Sequence, residues 1–230
     1  MARLFDDGSS EYCDIGSAAV SGEPFSMACW FYSDSITSTQ ALMSIADGDV
    51  TYQYYALRAE GAVAGDYIAA MSWDGNQTRK AQTTSGYSAN TWHHAAGVWG
   101  ASDDKHAYLD GGSEGTNSDA SFVTNTLDHM CIGCTADSTP AFYVSGRVAE
   151  AAIWDVALTD AEIAILGDKY SALWVRPDHI IAYWAFSIDD QDWMGDYDLS
   201  PQNTPSWAAH VPGMIYPARM PAAFNDVAIY

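Results

Sequence analysis

The stretch GRVAEAAIWDVALTDAEIAIL, residues 146–166, predicts a β-strand, a turn and a short helix in direct succession. Small and β-branched residues fill its first half, which favours a strand, and Trp154 ends that strand with a large apolar side chain. Thr159 is a typical helix N-cap residue, and Glu162 three positions later completes a capping box. The stretch therefore places a helix immediately after a core strand.

Two earlier stretches carry strand patterns that agree with it. Residues 25–31, FSMACWF, alternate between two sets of side chains, as expected of a strand with one face toward a core. Residues 90–111, NTWHHAAGVWGASDDKHAYLDG, predict the two strands of a hairpin, and Asp110-Gly111 is a tight-turn pair. Between them, short strand patterns recur about every ten residues with turn residues at their ends and no long helix. This organisation indicates a β-sandwich or jelly roll.

Taken in order, the three stretches resemble the laminin G-like domains of the concanavalin A-like lectin/glucanase class. The resemblance covers about residues 3–166. It implies an all-β fold, a two-sheet antiparallel jelly-roll sandwich with one short helix after the last core strand. At 230 residues, the chain is long enough to bury one such core.

The chain is predicted to have three parts. Residues 1–175 form the jelly roll, residues 176–212 a C-terminal extension, and residues 213–230 an extended tail. Within the extension, HIIAYWAF, residues 179–186, predicts a strand and resembles a segment that often precedes the first strand in this family. Because the two ends of a sandwich lie close together, this strand is expected to join a sheet edge. An unrelated extension packed on the rim is the alternative.

The charge of the chain argues against two classes of partner. Thirty acidic residues against nine Lys and Arg give a formal net charge of −21. Nucleic acids and anionic membranes are both recognised by basic surfaces, so we expect neither as a partner. No apolar run in the sequence approaches the length of a membrane span.

The four cysteines are interpreted as free structural thiols. Cys131 and Cys134 lie in an apparent strand, which would place them roughly 10 Å apart on opposite faces. That separation is too large for a disulfide bond, and no second pair at suitable spacing completes a zinc site. The same interpretation holds for Cys13 and Cys29, and Cys29 is expected in the core.

Catalytic chemistry is not predicted from the motifs of this chain. A retaining β-glucanase of the same fold carries Glu-x-Asp-x-Glu on one strand, and no such triplet occurs here, so we expect no enzymatic activity. His93 and His94 are neighbours on a strand and face opposite sides, so they cannot serve one metal together.

The resemblance to this family suggests calcium as a bound metal. Many relatives bind one ion through an aspartate in the strand after a glycine, and here that position is Ala149, which offers no side-chain ligand. The remaining candidate is the acidic loop that contains Asp189, Asp190 and Asp192. A solvated acidic turn is the alternative, and no cofactor is expected to be required.

Sugar binding in this fold uses aromatic side chains together with a few polar groups. The candidate residues for a carbohydrate site are Tyr52, Tyr54, Trp73, Asp74 and Asn76. Packing of these aromatic side chains in a core is the alternative interpretation.

Two functions are compatible with these features. The first is a non-enzymatic structural protein of a phage virion, a capsid decoration, cement or fibre component that attaches to capsid or other virion proteins. It follows from an opening sequence without a secretion signal, thiols typical of a cytoplasm and an apolar tail. We therefore expect synthesis in a host cytoplasm and localisation in the virion. The alternative is a lectin-like module that binds a surface glycan.

The tail supplies the residues predicted to mediate assembly. Its three prolines extend the chain, and its apolar side chains would form an exposed patch of the kind that marks an interface. The residues assigned to virion attachment, or to a homo-oligomer, are Met214, Ile215, Tyr216, Phe224 and Tyr230.

Overall fold

The computed structural model describes residues 1–121, 123 and 126–218 of the chain. The strands of this part are, in chain order, β1 (Ala2–Phe5), β2 (Tyr12–Ile15), β3 (Phe25–Ser33), β4 (Thr39–Ala46), β5 (Gln53–Glu60), β6 (Tyr67–Asp74), β7 (Thr78–Gly86), β8 (Trp92–Ala101), β9 (Asp104–Leu109), β10 (Gly112–Asn117), β11 (His129–Ile132), β12 (Gly146–Trp154), β13 (Ile180–Trp184), β14 (Ser200–Gln202) and β15 (Ser206–Ala208). One α-helix, α1 (Asp160–Gly167), follows β12 in the described part of the chain. None of the described helical segments is both long and apolar enough to cross a membrane.

The strands form two antiparallel sheets. The eight-stranded sheet has the order β10-β9-β8-β3-β12-β1-β15, and β13 also pairs with β12. The seven-stranded sheet has the order β14-β2-β11-β4-β5-β6-β7. This arrangement confirms the predicted all-β sandwich with one short helix after its last core strand.

The main core lies between the two sheets and is rich in aromatic contacts. Phe25 of β3 stacks on Trp99 of β8 with ring centroids 4.8 Å apart. Tyr55 of β5, from the opposite sheet, meets Phe25 edge-on at 5.0 Å. Met27 and Phe31 point into the same core, so the alternation predicted for residues 25–31 is confirmed. Interlocking rings from both sheets fix how the sheets face each other.

The helix begins as its sequence indicates. The backbone N–H of Thr159 donates to Oε2 of Glu162 at 2.8 Å, and both halves of the capping box are present. Ile163 and Leu166 then pack with Trp154 on the outer side of the eight-stranded sheet. The helix therefore covers the side of that sheet that faces away from the main core.

The C-terminal extension contributes strands to both sheets. Along β12, β1 pairs with residues 146–148 and β13 pairs with residues 151–154. Because β3 occupies the other side of β12, β1 and β13 lie one after the other along the same edge. The extension also supplies β15 beside β1 and β14 beside β2. It thus adds three short strands, where the sequence predicts one.

The interpretation of the cysteines is wrong for one pair, because Cys131 and Cys134 form a disulfide bond with Cα atoms 5.8 Å apart. β11 ends before Gly133, which has a φ of +95° and turns the chain out of the strand. The separation expected on an unbroken strand therefore does not apply. Cys13 and Cys29 are buried free thiols, as expected.

Candidate functional site

The outer face of the seven-stranded sheet carries aromatic and polar side chains. Tyr55 and Leu57 of β5 point into the main core, whereas Tyr54 of the same strand packs with Met71 of β6 in a separate outer cluster. Trp73 adjoins this cluster at the end of β6. We call this surface the aromatic face.

A loop at residues 134–143 folds over part of the aromatic face. The disulfide bond ties its first residue to β11, and the Ser44 hydroxyl donates to the carbonyl of Cys134 at 2.9 Å. Within the loop, the Thr135 N–H donates to the carbonyl of Ala141 at 2.9 Å. These bonds hold the loop in a fixed position above β11 and β4.

A cleft of about 180 Å³ opens between this loop and the ends of β2 and β11. The residues that line the cleft are Tyr12, Asp14, Gly48, His129, Cys131, Cys134, Ala136, Asp137, Ser138 and Pro140. The lining therefore combines polar groups, namely carboxylates, an imidazole and hydroxyls, with apolar groups, namely the disulfide sulfur atoms and the side chains of Ala136 and Pro140. Such a mixture of polar and apolar groups is typical of small-molecule sites.

Asp137 connects the cleft to an exposed aromatic pair. One carboxylate oxygen, Oδ2, accepts the backbone N–H of Tyr52 at 2.9 Å, and the other accepts the N–H of Thr139 at 3.3 Å. Tyr52 has a φ of +67°, which is uncommon for a residue with a side chain. Its ring stacks on Trp73 with centroids 4.1 Å apart and an interplanar angle of 12°. The Tyr52 side chain is 47% exposed, so the pair offers a flat aromatic surface beside the cleft.

The polar groups on the opposite side of the cleft are oriented by their own partners. Asp128 Oδ1 accepts the N–H of Gly48 at 2.8 Å and lies 2.9 Å from His129 Nδ1. The Gly48 bond, followed by the His129 contact, lowers the pKa of Asp128. Asp14 Oδ1 accepts from the Gln202 side-chain amide at 2.9 Å. Among the described residues, these bonds engage one oxygen of Asp14 and the Nδ1 atom of His129, and both side chains line the cleft.

The structure divides the five sequence-predicted sugar-binding residues into three groups. Tyr52 and Trp73 come together as the stacked pair, in which Tyr52 is exposed and Trp73 is partly buried, while Tyr54 is 1% exposed and edge-on to Trp73 at 5.8 Å. Burial raises the pKa of Tyr54, and its hydroxyl has no hydrogen-bond partner among the described residues. Asp74 accepts the N–H of Asn76 at 3.0 Å, so these two residues shape the turn between β6 and β7.

The cleft itself was missed by the sequence analysis. Tyr12 and Asp14 lie in β2, His129 begins β11, and Asp137 and Ser138 belong to the following loop. More than a hundred residues separate the first two from the others, and only β2–β11 pairing brings them together. The closely spaced cysteines before the loop were the one local signal, and they were interpreted as free thiols.

The predicted calcium ligands serve structural roles. Asp190 pairs with Arg3 at 2.5 Å. Asp192 is buried, and its two oxygens accept four backbone N–H groups, including that of Tyr183 at 2.7 Å. Burial raises the pKa of Asp192, and these donors oppose the shift. The described part of the chain contains no group of three or more His, Cys, Asp or Glu residues that could hold a metal ion, so Asp189, Asp190 and Asp192 gain no support as a calcium site.

The first residues of the predicted assembly tail lie on this chain's own sandwich. Ile215 donates its N–H to the carbonyl of Lys169 at 2.8 Å and accepts the N–H of Ser171 at 3.0 Å. Met214 packs beside the cluster that contains Trp30, and the Tyr216 hydroxyl donates to a buried glutamate at 2.6 Å. These three residues do not form a free arm. The other two assembly residues, Phe224 and Tyr230, lie outside the described residues.

The adjacent histidines face opposite sides of β8, as expected. His93 packs against Phe31 of the main core, whereas His94 packs against Trp30 on the outer side. Burial lowers the pKa of His94 to about 4, so its imidazole is neutral at physiological pH. His93 pairs instead with Asp110 at 2.8 Å. Both residues therefore have structural partners, and neither lines the cleft.

Comparison with protein families agrees with this architecture. The model of the family Laminin_G_3, described as the concanavalin A-like lectin/glucanases superfamily, matches residues 7–164. None of the curated proteins compared with the chain matches it.

Solved structures with the same fold include carbohydrate-binding modules. A putative carbohydrate binding protein from Bacteroides ovatus shares 17% identity over 89% of this chain, with a TM-score of 0.60, and the match spans 58% of that protein. The Ruminococcus gnavus sialidase module CBM40, solved with α2,3 sialyllactose, shares 14% identity over 64% of this chain and 84% of its own, with a TM-score of 0.52. A pentraxin from Limulus polyphemus shares 12% identity over 68% of this chain and 75% of its own, with a TM-score of 0.52. At these identities the similarity establishes the fold.

Proposed function

Because the chain belongs to the Laminin_G_3 family of the concanavalin A-like lectin/glucanases superfamily, we propose that it is a non-catalytic carbohydrate-binding module. The binding site is the cleft together with the stacked pair of Tyr52 and Trp73. This was the alternative function in the sequence analysis. Its fold-level support is that neighbouring structures include a putative carbohydrate binding protein and a sialidase CBM40 module.

One observation carries the proposal, namely the exposed aromatic pair that borders a polar cleft. A sugar ring has an apolar C–H face and a rim of hydroxyl groups. The Tyr52 ring, held flat against Trp73, fits the C–H face. The carboxylates of Asp14 and Asp137 can accept hydrogen bonds from sugar hydroxyl groups, and the Ser138 hydroxyl can donate or accept one. The aromatic pair and the adjacent polar groups thus complement, side by side, the apolar C–H face of a sugar ring and its hydroxyl groups.

Pre-organisation strengthens this assignment. Asp137 fixes the backbone of Tyr52, and the disulfide bond fixes the loop that contains Asp137. A site that is already ordered loses less conformational entropy when it binds a ligand. Tyr54 packs in the same outer cluster as two residues that line the cleft, Cys134 and Ala136, and so supports the loop from below.

The virion interpretation remains a prediction and gains no support from the family or the neighbouring structures described above. Three of the five tail residues on which it depended, Met214, Ile215 and Tyr216, contact this chain's own sandwich, and Phe224 and Tyr230 lie outside the described residues. Capsid or other virion partners, a phage origin and a location in the virion are therefore not part of the present proposal.

A glycan panel probed with the purified full chain tests the proposed function. We expect binding to at least one class of oligosaccharide, and at least a tenfold loss of affinity in Tyr52→Ala, because the stacking surface is removed. The matched control is Trp174→Ala, since Trp174 is a similarly exposed aromatic residue, 48% accessible, that is not part of the aromatic face. Binding to no glycan, or an equal loss in both variants at unchanged melting temperature, would refute the proposal.

A further inference from the structure

The ionisable side chains that line the cleft are two aspartates, one histidine and one tyrosine. Asp14 and Asp137 face the cleft, and His129 is already paired with Asp128 behind it. No lysine or arginine occurs among the lining residues, all of which are described. The chain as a whole carries a formal net charge of −21, so the surrounding field is also negative.

The two basic side chains that the neighbouring strands place on the aromatic face are already engaged. Lys80 of β7 is opposite Met71 in the sheet and pairs with Glu60 at 2.6 Å. The ammonium group of Lys80 is therefore neutralised within the protein.

Arg58 of β5 is the second basic residue, and it is withdrawn from solvent. It is 7% exposed, and the Phe142 ring lies 4.1 Å from the centre of its guanidinium group. One guanidinium nitrogen also contacts the Met71 sulfur at 3.4 Å. Arg58 therefore sits beneath the loop and is not presented to a ligand in the cleft.

Both cleft carboxylates are held where a ligand would meet them. Two backbone N–H groups fix Asp137, and the Gln202 amide fixes Asp14. A fixed carboxylate accepts hydrogen bonds from sugar hydroxyls but repels a second carboxylate nearby. The cleft lining contains no lysine or arginine to offset that repulsion, and the Nδ1 atom of its one histidine, His129, is paired with Asp128. An acidic sugar in the cleft therefore meets two carboxylates with little positive charge to balance them.

From this geometry we infer that the cleft selects uncharged glycans and discriminates against glycans that carry a carboxylate, such as sialylated or uronic acid sugars. The inference rests on the proposed carbohydrate-binding function and specifies its ligand class. The inferred ligand class differs from the sialyllactose bound in the Ruminococcus gnavus module, although the two proteins share a fold.

Matched pairs of glycans test the inference. The probes are lactose against α2,3-sialyllactose, and xylotetraose against its glucuronic acid-substituted form, placed in a panel that also contains cellotetraose and chitotetraose. We expect each neutral member that binds to do so at least tenfold more tightly than its acidic counterpart at low salt. Raising the salt concentration should reduce this ratio, because screening weakens repulsion between partly exposed charges.

A variant gives an independent measurement. Asp14→Asn keeps the size of the side chain and removes one negative charge, so the ratio of neutral to acidic affinity should fall several-fold. A folded Asp14→Asn protein with an unchanged ratio, together with no salt dependence in the wild type, would overturn the inference.

The outcomes separate the two proposals. Equal or tighter binding of the acidic member of a pair overturns the selectivity and leaves the glycan-binding function standing. Binding to no member of the panel overturns the glycan-binding function, and with it the selectivity that rests on it.

Discussion

Glu150 is the residue whose removal we expect to damage the fold most clearly without touching the cleft. It lies at an irregularity in β12, with a φ of +53°, and is only 5% exposed. Its carboxylate accepts the hydroxyl of Tyr183 at 2.5 Å and the hydroxyl of Tyr216 at 2.6 Å. His210 Nε2 lies 3.2 Å from the same carboxylate. Glu150 therefore ties β12 to β13 and to the C-terminal segment.

The expected cost of Glu150→Ala follows from these contacts. Hydrogen bonds to a charged group contribute about 1.5–3 kcal/mol each, and removing one partner of a buried charge pair costs about 3–5 kcal/mol. Because the three contacts share one carboxylate, they are not additive, and we take about 3–5 kcal/mol for the whole. For a chain of this length that loss lowers the Tm by roughly 6–20 °C.

The pH dependence gives the prediction a second readout. Burial is the largest single influence on the pKa of His210 and lowers it, but the hydrogen bond to Glu150, the charge of Glu150 and the carbonyls of Val211 and Ala185 together outweigh burial, and the pKa is raised. A pKa that is raised in the folded state contributes stability that is fully present below the unfolded value of about 6.5. That contribution is lost as the pH rises through the folded value. The difference in stability between the wild type and Glu150→Ala should therefore be larger at pH 6 than at pH 8.

Differential scanning calorimetry at both pH values tests the reasoning, with Tyr216→Phe as the matched control. This control removes one hydroxyl donor and keeps the contact between Glu150 and His210, so its loss should be smaller and should leave the pH dependence in place. If Glu150→Ala melts within about 2 °C of the wild type, or if its deficit is the same at both pH values, the assignment of Glu150 is wrong.

Three further predictions concern the loop, the metal and the tail. Reduction of the Cys131–Cys134 disulfide, or the double change to serine, should weaken glycan binding measured by calorimetry, because the loop that forms one wall of the cleft loses its tether; unchanged affinity would contradict this. Chelation should leave the Tm nearly unchanged in a fluorescence melt, whereas a drop above about 10 °C would reveal a strong metal site. Deletion of residues 213–230 should lower the Tm, because Ile215 and Tyr216 bond to the sandwich; a truncated chain as stable as the wild type would restore the interpretation of a free arm.

Local patterns were sufficient for the sandwich and for the start of its helix. The alternation in residues 25–31 and the capping box at Thr159 depend on side chains within a few positions of each other, so strand and helix geometry translate them directly into structure. The aromatic candidates Tyr52, which is exposed, and Trp73, which is partly buried, could also be predicted from the sequence, because both lie in or beside recognisable strands.

The cleft and the C-terminal network depended on the tertiary structure. Tyr12 and His129 come together only through the pairing of β2 with β11, and Asp137 joins them because the turn at Gly133 redirects the loop. The buried hydrogen bonds of Glu150 depend on the pairing of β13 with β12 and on the segment that follows β13, which lie far from Glu150 in the sequence. Periodicity in a sequence reports which face of an element is buried, because that depends on neighbours along the chain. The sheet register and the path of a loop decide which distant side chains meet, and these are set by the packing of the whole domain.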